Sequence, residues 1–255
     1  MKADKLGKVI QTYRHHRVGK CPVCGRMTIF FCLDRESFRN SMICLFCRSA
    51  SRNRHVAKAI LGIVGGEEGM SIADLTATGN VSIYNTATDD CFSRVMRDYD
   101  GYFSSCFKDG LALGTEISPR TSCQNIEALT FADGSFDFVI TEDVFEHVRH
   151  PEKGFREILR VLRPGGYHVF TVPFHFDRPT LVRVDTSGTD DVQLLPPEYH
   201  GDPLRGTILA YRTFGIDLFE QLNTIGFATR VSFSTYADRR WGIFDSSVFV
   251  SRRSG

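Results

Sequence analysis

The chain has 255 residues, enough for one large α/β domain with a small appendage. Hydrophobic residues make up 42% and charged residues 24%, with 31 Lys and Arg against 30 Asp and Glu and a net charge of +1. That balance excludes a general electrostatic attraction to nucleic acid or anionic membranes, so any such binding needs a local patch.

Residues 1–17 are basic but lack the continuous apolar run of a secretion signal. Nothing later has the uninterrupted apolar length that spans a bilayer, and a cytoplasmic protein is the expectation. The eight cysteines then read as metal ligands or small buried hydrophobes rather than disulfides. Four form two tight pairs, Cys21-Pro22-Val23-Cys24-Gly25 and Cys44-Leu45-Phe46-Cys47, while Cys32, Cys91, Cys106 and Cys123 are scattered. Nineteen residues separate Cys24 from Cys44, within the spacing of a four-cysteine zinc site. Four thiolates complete a tetrahedron and leave no open position, so Cys21, Cys24, Cys44 and Cys47 are expected to hold a structural Zn2+. Gly25 lets the chain turn back toward the sulfurs, and the apolar runs between the pairs suit a small zinc ribbon. A redox-active Cys-x-x-Cys is the alternative, which two matched pairs fit less well.

Residues 48–55 (RSASRNRH) are locally basic. They suit phosphate contacts, a solvated helix face, or arginines that dock the cysteine module. The near-zero net charge favours the last two readings. A connecting helix follows from about Arg52 to Val64. Gly65-Gly66-Glu67-Glu68-Gly69 is the candidate hinge, which divides the chain into a module at 1–66 and an α/β domain at 67–255.

The first strands of that domain fall between about Val81 and Phe107. Phe136 to Thr141 is a nearly continuous apolar run, as in a parallel strand buried on both faces. Pro151 suits a first helical position, and Phe155, Ile158, Leu159 and Leu162 form one helical stripe. Pro164-Gly165-Gly166 ends this helix and Tyr167 to Val172 resumes as a strand, a right-handed crossover. After an irregular stretch rich in Pro and Asp, Leu218, Leu222 and Ile225 mark a second helix capped by Gly226. Thr229–Ser234 and Ser247–Ser251 close a doubly wound sheet.

The segment FDFVITEDVFEHV (Phe136–Val148), with LTFADGSFD (Leu129–Asp137) before it and REILRVLRPGGYHVFTVP (Arg156–Pro173) after it, resembles class I S-adenosylmethionine-dependent methyltransferases. The motifs cover about Asn125 to Pro173, and a general likeness runs to the C-terminus. The resemblance implies a mostly parallel, seven-stranded Rossmann-like sheet with S-adenosylmethionine across the carboxyl ends of its strands. Methyl transfer is an in-line displacement at a sulfonium methyl, so the cofactor carries the reactivity and the protein supplies position and electrostatics. Glu142, Asp143 and Val144 would lie near the methionine half. His147 would act as base toward an acceptor hydroxyl, or would tie the turn in place. The cysteine pairs together with PEYHGDP (Pro197–Pro203) are similar to a subgroup associated with cell-surface glycan or other small-molecule modification. A small-molecule or glycan acceptor is therefore expected.

The glycine loop departs from the family. Its first strand ordinarily ends in an acid followed by alternating glycines. In one register Ile72–Asn80 is the loop and retains Asp74 and Gly79. In the other, Ser82–Asn85 is the strand and Thr86–Asp90 a loop without glycine. The second is preferred because a helix Cys91–Arg97 and a strand Gly101–Phe107 then follow. Asn85 there replaces the acid, with Thr86 and Ala87 after it. Ser105 stands where a ribose-binding carboxylate is usual, and Asn125, beside Ile126, where an Asp near the adenine amine is usual. Amides and hydroxyls forgo charge-assisted bonds, which predicts weaker cofactor binding, a remodelled site or lost catalysis. His175, Tyr199 and His200 are candidates to line the acceptor pocket. Three readings follow: methyl transfer to a small molecule or glycan, a non-catalytic partner-binding protein, and an RNA methyltransferase. The absence of net basic charge counts against the last. The sequence sets no oligomeric state.

Overall fold

The structure is a computed structural model that describes residues 15–202, 206–234 and 238–254. The basic lead through residue 14, and Pro203 of the proline-rich stretch, lie outside the described residues. Two units partition the chain: Met1–Ser104 with Arg230–Val250, and Ser105–Thr229 with Ser251–Gly255.

In the first unit, β1 (Arg17–Lys20), β2 (Met27–Phe31) and β3 (Ile43–Cys44) form a three-stranded antiparallel sheet, with Val18 opposite Ile29 and Phe30 opposite Cys44. Thr28 and Phe30 of β2 point inward while Met27 and Ile29 are exposed, the alternation expected of a strand with one buried face. Helix α1 (Ser51–Ile63) begins where Asn53 Oδ1 accepts the Ala50 N–H at 2.7 Å, and it buries Val56, Ala57, Ile60 and Leu61. Helix α2 (Ile72–Ala77) starts at a reciprocal cap: Ser71 Oγ accepts from Asp74 N, and Asp74 Oδ2 accepts from Ser71 N at 2.9 Å. The acid at 74 is thus a helix-capping group, so Ile72–Asn80 is not a strand-end loop. The strand lies in the preferred register, as β4 (Ile83–Asn85). Helix α3 (Cys91–Met96) is capped by Asp90, whose Oδ1 accepts Ser93 N at 2.8 Å. Strand β5 (Tyr102–Cys106) runs parallel to β4, with Ile83 opposite Tyr102 and Asn85 opposite Ser104.

In the second unit, β6 (Glu116–Ser118) and β7 (Thr121–Cys123) form an antiparallel hairpin. Strand β8 (Phe136–Glu142), helix α4 (Pro151–Val161) and strand β9 (Leu162–Thr171) form the expected crossover, with Val139 opposite His168 in a parallel pair. Two boundaries differ from expectation. Leu162 opens β9 instead of completing the helical stripe, and Pro164-Gly165-Gly166 lies within β9 instead of ahead of it. The reason is local: Pro164 disfavours helical geometry at Arg163, so the helix stops before it. Gly165 then takes φ 78° where the register of β8 against β9 is irregular. Of the expected stripe Phe155 and Ile158 are buried, Leu159 is only half-buried, and Val161, outside the expected stripe, is buried instead; each buried side chain contributes about 1.5–3 kcal/mol. Phe145 and Phe155 stack with centroids 3.8 Å apart, and a Cβ at Gly154 would sit 2.9 Å from Phe145 Cε1. Glycine is tolerated inside α4 because the ring needs that space.

The stretch read as irregular carries short ribbons. These are β10 (Leu181–Val182), β11 (Val184–Asp185), β12 (Val192–Gln193), β13 (Glu198–Asp202), β14 (Gly206–Ala210) and β15 (Arg212–Thr213). Strand β10 pairs with β15, β11 with β12, and β13 with β14, all antiparallel. Helix α5 (Leu218–Ile225) ends at Gly226 with φ 118°, the expected left-handed cap. Strands β16 (Phe227–Ser234) and β17 (Ser246–Arg253) follow. The fold is mixed α/β, with a parallel pair in each unit, β4 with β5 and β8 with β9. Among the described residues no helix is long and apolar enough to cross a membrane.

Candidate functional site

The paired cysteines converge. Cys21 Sγ lies 3.6 Å from Cys47 Sγ and Cys24 Sγ 3.9 Å from Cys44 Sγ, and all four sulfurs lie within 4.8 Å of one another. None of the eight cysteines forms a disulfide. A tetrahedron with zinc–sulfur bonds of about 2.3 Å has edges of about 3.8 Å, so the sulfurs fit a zinc ion. The two turns match: the residue after each second cysteine is left-handed, Gly25 at φ 74° and Arg48 at φ 62°. Ser49 Oγ stands 3.3 Å from Cys21 Sγ and 3.2 Å from Cys47 Sγ. Hydrogen bonding to Cys24 pulls the Cys21 thiol down to about 6, and bonding to Cys21 pulls Cys44 down and holds Cys24 and Cys47 up.

Within the basic stretch, Arg54 is wholly buried. Its Nε donates to Trp241 O at 2.9 Å and its Nη2 to Met42 O and Gly242 O at 2.6 Å each. Its Nη1 donates to the Ser49 carbonyl, and to Ser49 Oγ at 3.2 Å, while the guanidinium covers the Phe30 ring at 4.1 Å. Burial pulls this guanidinium down to about 10, and the nearby Cys21, Cys44 and Cys47 thiolates oppose that shift. Arg54 therefore stays charged at neutral pH beside a thiolate cluster. Together with buried His55 and Asn53, it makes part of the basic stretch internal structure.

The residues expected to hold the cofactor sit at strand ends and turns. Asn85 closes β4, and its Nδ2 donates to Tyr102 OH at 2.9 Å, Asp90 Oδ2 at 3.0 Å and Ala87 O at 3.3 Å. The amide that replaces the acid thus braces the loop of Thr86 and Ala87 against α3. In the second unit, Ser105 is buried near the end of β5. Asn125 Oδ1 accepts from Glu127 N at 2.9 Å, a local turn that presents half-buried Ile126. Glu142 ends β8. Asp143 takes φ 53°, its N–H donating to Thr171 O at 3.0 Å and its Oδ1 accepting from Thr171 Oγ1 at 2.9 Å. The acidic turn is fixed to β9 on both sides, with Val144 half-buried after it.

The following single turn, Phe145–His147, carries a cluster the sequence only half discloses. Glu146 is fully buried, and neither of its carboxylate oxygens has a hydrogen-bond partner among the described residues. His147 Nε2 lies 3.7 Å and His200 Nδ1 3.6 Å from Glu146 Oε1, and the two ring nitrogens are 3.2 Å apart. On their far sides, His147 Nδ1 faces Leu209 O at 2.8 Å and His200 Nε2 faces Glu198 Oε1 at 3.1 Å. Arg183 in turn pairs with Glu198. Glu146, and then Glu198, pushes His200 up to about 9. In the sequence His147 and His200 stand apart as separate candidates, and Glu146 shows no role of its own. The ribbon β13–β14 supplies the missing link, since His200 follows His147 by 53 positions.

Of the other acceptor candidates, His175 is held by its backbone, donating to Phe214 O at 2.8 Å, and Tyr199 is 61% exposed. A groove of about 810 Å³ in the second unit is lined by Arg149, His150, Thr180, Arg212 and Asp217 among others, and by none of the expected site residues. Also unforeseen is His168 on β9, fully buried, bonded to Thr141 Oγ1 at 2.9 Å and pushed down to about 3 by burial. The LTFADGSFD motif has a structural explanation. Arg160 of α4 donates to Leu129 O at 2.9 Å and Phe131 O at 2.8 Å, and pairs with Asp133 at 2.7 Å, tying the loop before β8 to the helix after it.

Residues 91–170 match the methyltransferase domain family. Over 96 residues the chain is 40% identical to an uncharacterized methyltransferase of Mycolicibacterium gilvum (strain PYR-GCK), covering 29% of this chain and 38% of that protein. Over 72 residues it is 39% identical to a sarcosine/dimethylglycine N-methyltransferase of Halorhodospira halochloris, covering 25% of this chain and 26% of that protein. A solved S-adenosylmethionine-dependent methyltransferase from Mesorhizobium loti aligns with TM-score 0.44 and 16% identity over 71% of this chain and 97% of that one. The chain thus spans less than half the length of these two curated relatives. The matched family segment contains α3, β5, β8, α4 and nearly all of β9, together with Glu146 and His147. The matched segment overlaps residues 125–173, the stretch that carries the sequence resemblance.

Proposed function

We propose that this protein transfers the methyl group of S-adenosylmethionine to a small-molecule acceptor, a glycan included. The observation that carries the reading is the methyltransferase-domain match over residues 91–170, which brackets the acidic turn and the Glu146–His147 pair. S-adenosylmethionine supplies the electrophilic sulfonium methyl. Glu142, Asp143 and Val144 are assigned to its methionine half, Asn85, Thr86, Ala87 and Ser105 to the loop and ribose, and Asn125 and Ile126 to the adenine. His147 is the assigned base. Its Nδ1 proton is committed to the Leu209 carbonyl, so Nε2 keeps the lone pair that takes a proton from the acceptor hydroxyl or amine. Glu146 lies close enough to offset the charge that then develops on the imidazole. His175, Tyr199 and His200 are assigned to the acceptor side. Cys21, Cys24, Cys44 and Cys47 are assigned one structural zinc, which holds the 1–66 module, while 67–255 carry the chemistry.

A second reading, a non-catalytic methyltransferase-like protein that binds a partner, is favoured by one observation. The Asn85 amide donor is already taken by three acceptors inside its own loop. Thermal melting with and without S-adenosylhomocysteine separates the readings, because a ligand at 100 times its Kd stabilises the fold by about 2.7 kcal/mol. A rise in Tm with ligand is expected. An unchanged Tm at millimolar ligand favours the partner-binding reading. In the active case His147→Ala lowers kcat while leaving that rise in Tm intact.

A further inference from the structure

We propose that Glu146, His147 and His200 form a binding site for a divalent transition-metal cation of the zinc class, separate from the cysteine cluster. Three observations carry it. The first is geometry. Glu146 Oε1, His147 Nε2 and His200 Nδ1 form a triangle with sides of 3.7, 3.6 and 3.2 Å. A point about 2 Å from all three vertices lies within it, the bond length of zinc to imidazole nitrogen and carboxylate oxygen.

The second is the direction of the lone pairs. His147 Nδ1 faces the Leu209 carbonyl and His200 Nε2 the Glu198 carboxylate, both acceptors, so each far nitrogen carries its proton outward. When a metal ion displaces the proton held between the rings, the two near nitrogens present their lone pairs to one point beside the carboxylate. Metal-binding histidines are oriented in this way, by an outer carbonyl or carboxylate that fixes the tautomer. Arg183, paired with Glu198, fixes that outer carboxylate in turn.

The third is Glu146 itself. A fully buried carboxylate with neither oxygen hydrogen-bonded among the described residues needs positive charge beside it, which a bound metal ion supplies in place of the proton on His200. The donor set is two nitrogens and one oxygen, and the His200 side chain is 29% exposed, so the fourth position opens toward solvent. Such a site accepts an oxygen ligand, water or the hydroxyl of a bound molecule, unlike four closed thiolates. With the cation bound, His147 is a ligand and not a base. Metal binding here goes beyond the methyl-transfer reading and holds whether or not the domain takes S-adenosylmethionine.

The test uses the full chain loaded with Zn2+ and freed of excess ion, with zinc counted per chain in wild type, Glu146→Gln and His200→Ala. The readout is the difference between proteins, so it is independent of how the cysteine cluster is loaded. Each variant is expected to hold one zinc fewer than wild type. A Co2+ titration is expected to lose, in both variants, the visible absorption of a nitrogen–oxygen site while retaining any thiolate charge-transfer band. Equal zinc content in all three proteins, with the same Co2+ spectrum, overturns the proposal and leaves the cluster closed by a proton alone. His200 sits on a partly exposed ribbon, so His200→Ala carries the test if Glu146→Gln fails to fold. Titrating the same samples with S-adenosylmethionine keeps the two readings apart, since a failure there leaves the zinc difference intact.

Discussion

The cysteine cluster of the first unit and the Glu146–His147–His200 cluster of the second each gather negative or lone-pair groups at short range, and they balance them differently. The four sulfurs come from two matched turns, three of the four cysteines are buried, and Arg54 places a buried positive charge beside them. The second cluster has one buried carboxylate, two imidazoles turned inward by outer acceptors, and an exposed edge at His200. A closed set of four soft donors with its own countercharge holds structure. A three-donor set with an open side is suited to chemistry. The cost of damaging each should differ accordingly.

The largest effect is expected at the closed cluster. Cys47→Ser removes one of four thiolates, and structural zinc contributes about 10–16 kcal/mol of apparent binding energy in small zinc-dependent folds. The variant should lose its zinc and melt far below wild type, read by metal content and calorimetry. A variant that keeps its Tm would show that the cysteines need no ion. Next comes Arg54→Met, which strips donors from the carbonyls of Met42, Ser49, Trp241 and Gly242. A loss of about 3–5 kcal/mol is expected in denaturant unfolding. Arg54→Lys should not rescue it, since an ammonium cannot reproduce the planar fork.

These two residues show what a single sequence discloses. The cysteine pairs are legible because each ligand pair is local, with two residues between its members on one turn, and its spacing is set by backbone geometry. Arg54 is not, because the acceptors it meets at 241–242 come from a distant part of the chain, and a basic run reads as a solvated face. The crossover from β8 through α4 to β9 is legible because Phe155 and Ile158 follow the helical period and Pro151 and Pro164 punctuate it. The second cluster is half legible: Glu146-His147 is adjacent in sequence, but His200 arrives on a ribbon within a stretch whose short strands carry no periodic signal. Asp74 misleads in one register because a capping acid and a strand-end acid look alike until the strand is placed.

A smaller effect contrasts the two kinds of histidine in the second unit. Burial alone lowers His168 from 6.5 to about 3. The unfolded chain therefore binds a proton between those values that the folded chain refuses, and stability falls as pH drops from about 6.5 toward 3. The loss is on the order of a few kcal/mol, and His168→Phe should flatten it in pH-dependent unfolding. A slope unchanged by the substitution would assign the acid sensitivity elsewhere. The smallest effect compares the two cysteine turns. Gly25→Ala puts a Cβ 2.8 Å from Ser71 Oγ at φ 74° and should destabilise. Arg48→Gly relieves a left-handed arginine at φ 62° and should shift stability by no more than about 1 kcal/mol in either direction.

The measurement that bears most directly on the central claim is calorimetric titration of the zinc-loaded chain with S-adenosylmethionine and S-adenosylhomocysteine, repeated with Asn125→Ala and Asp143→Ala. Saturable binding of both ligands, weakened by either substitution, is the result predicted. A folded, zinc-loaded protein that binds neither ligand at millimolar concentration would contradict the assignment of methyl transfer.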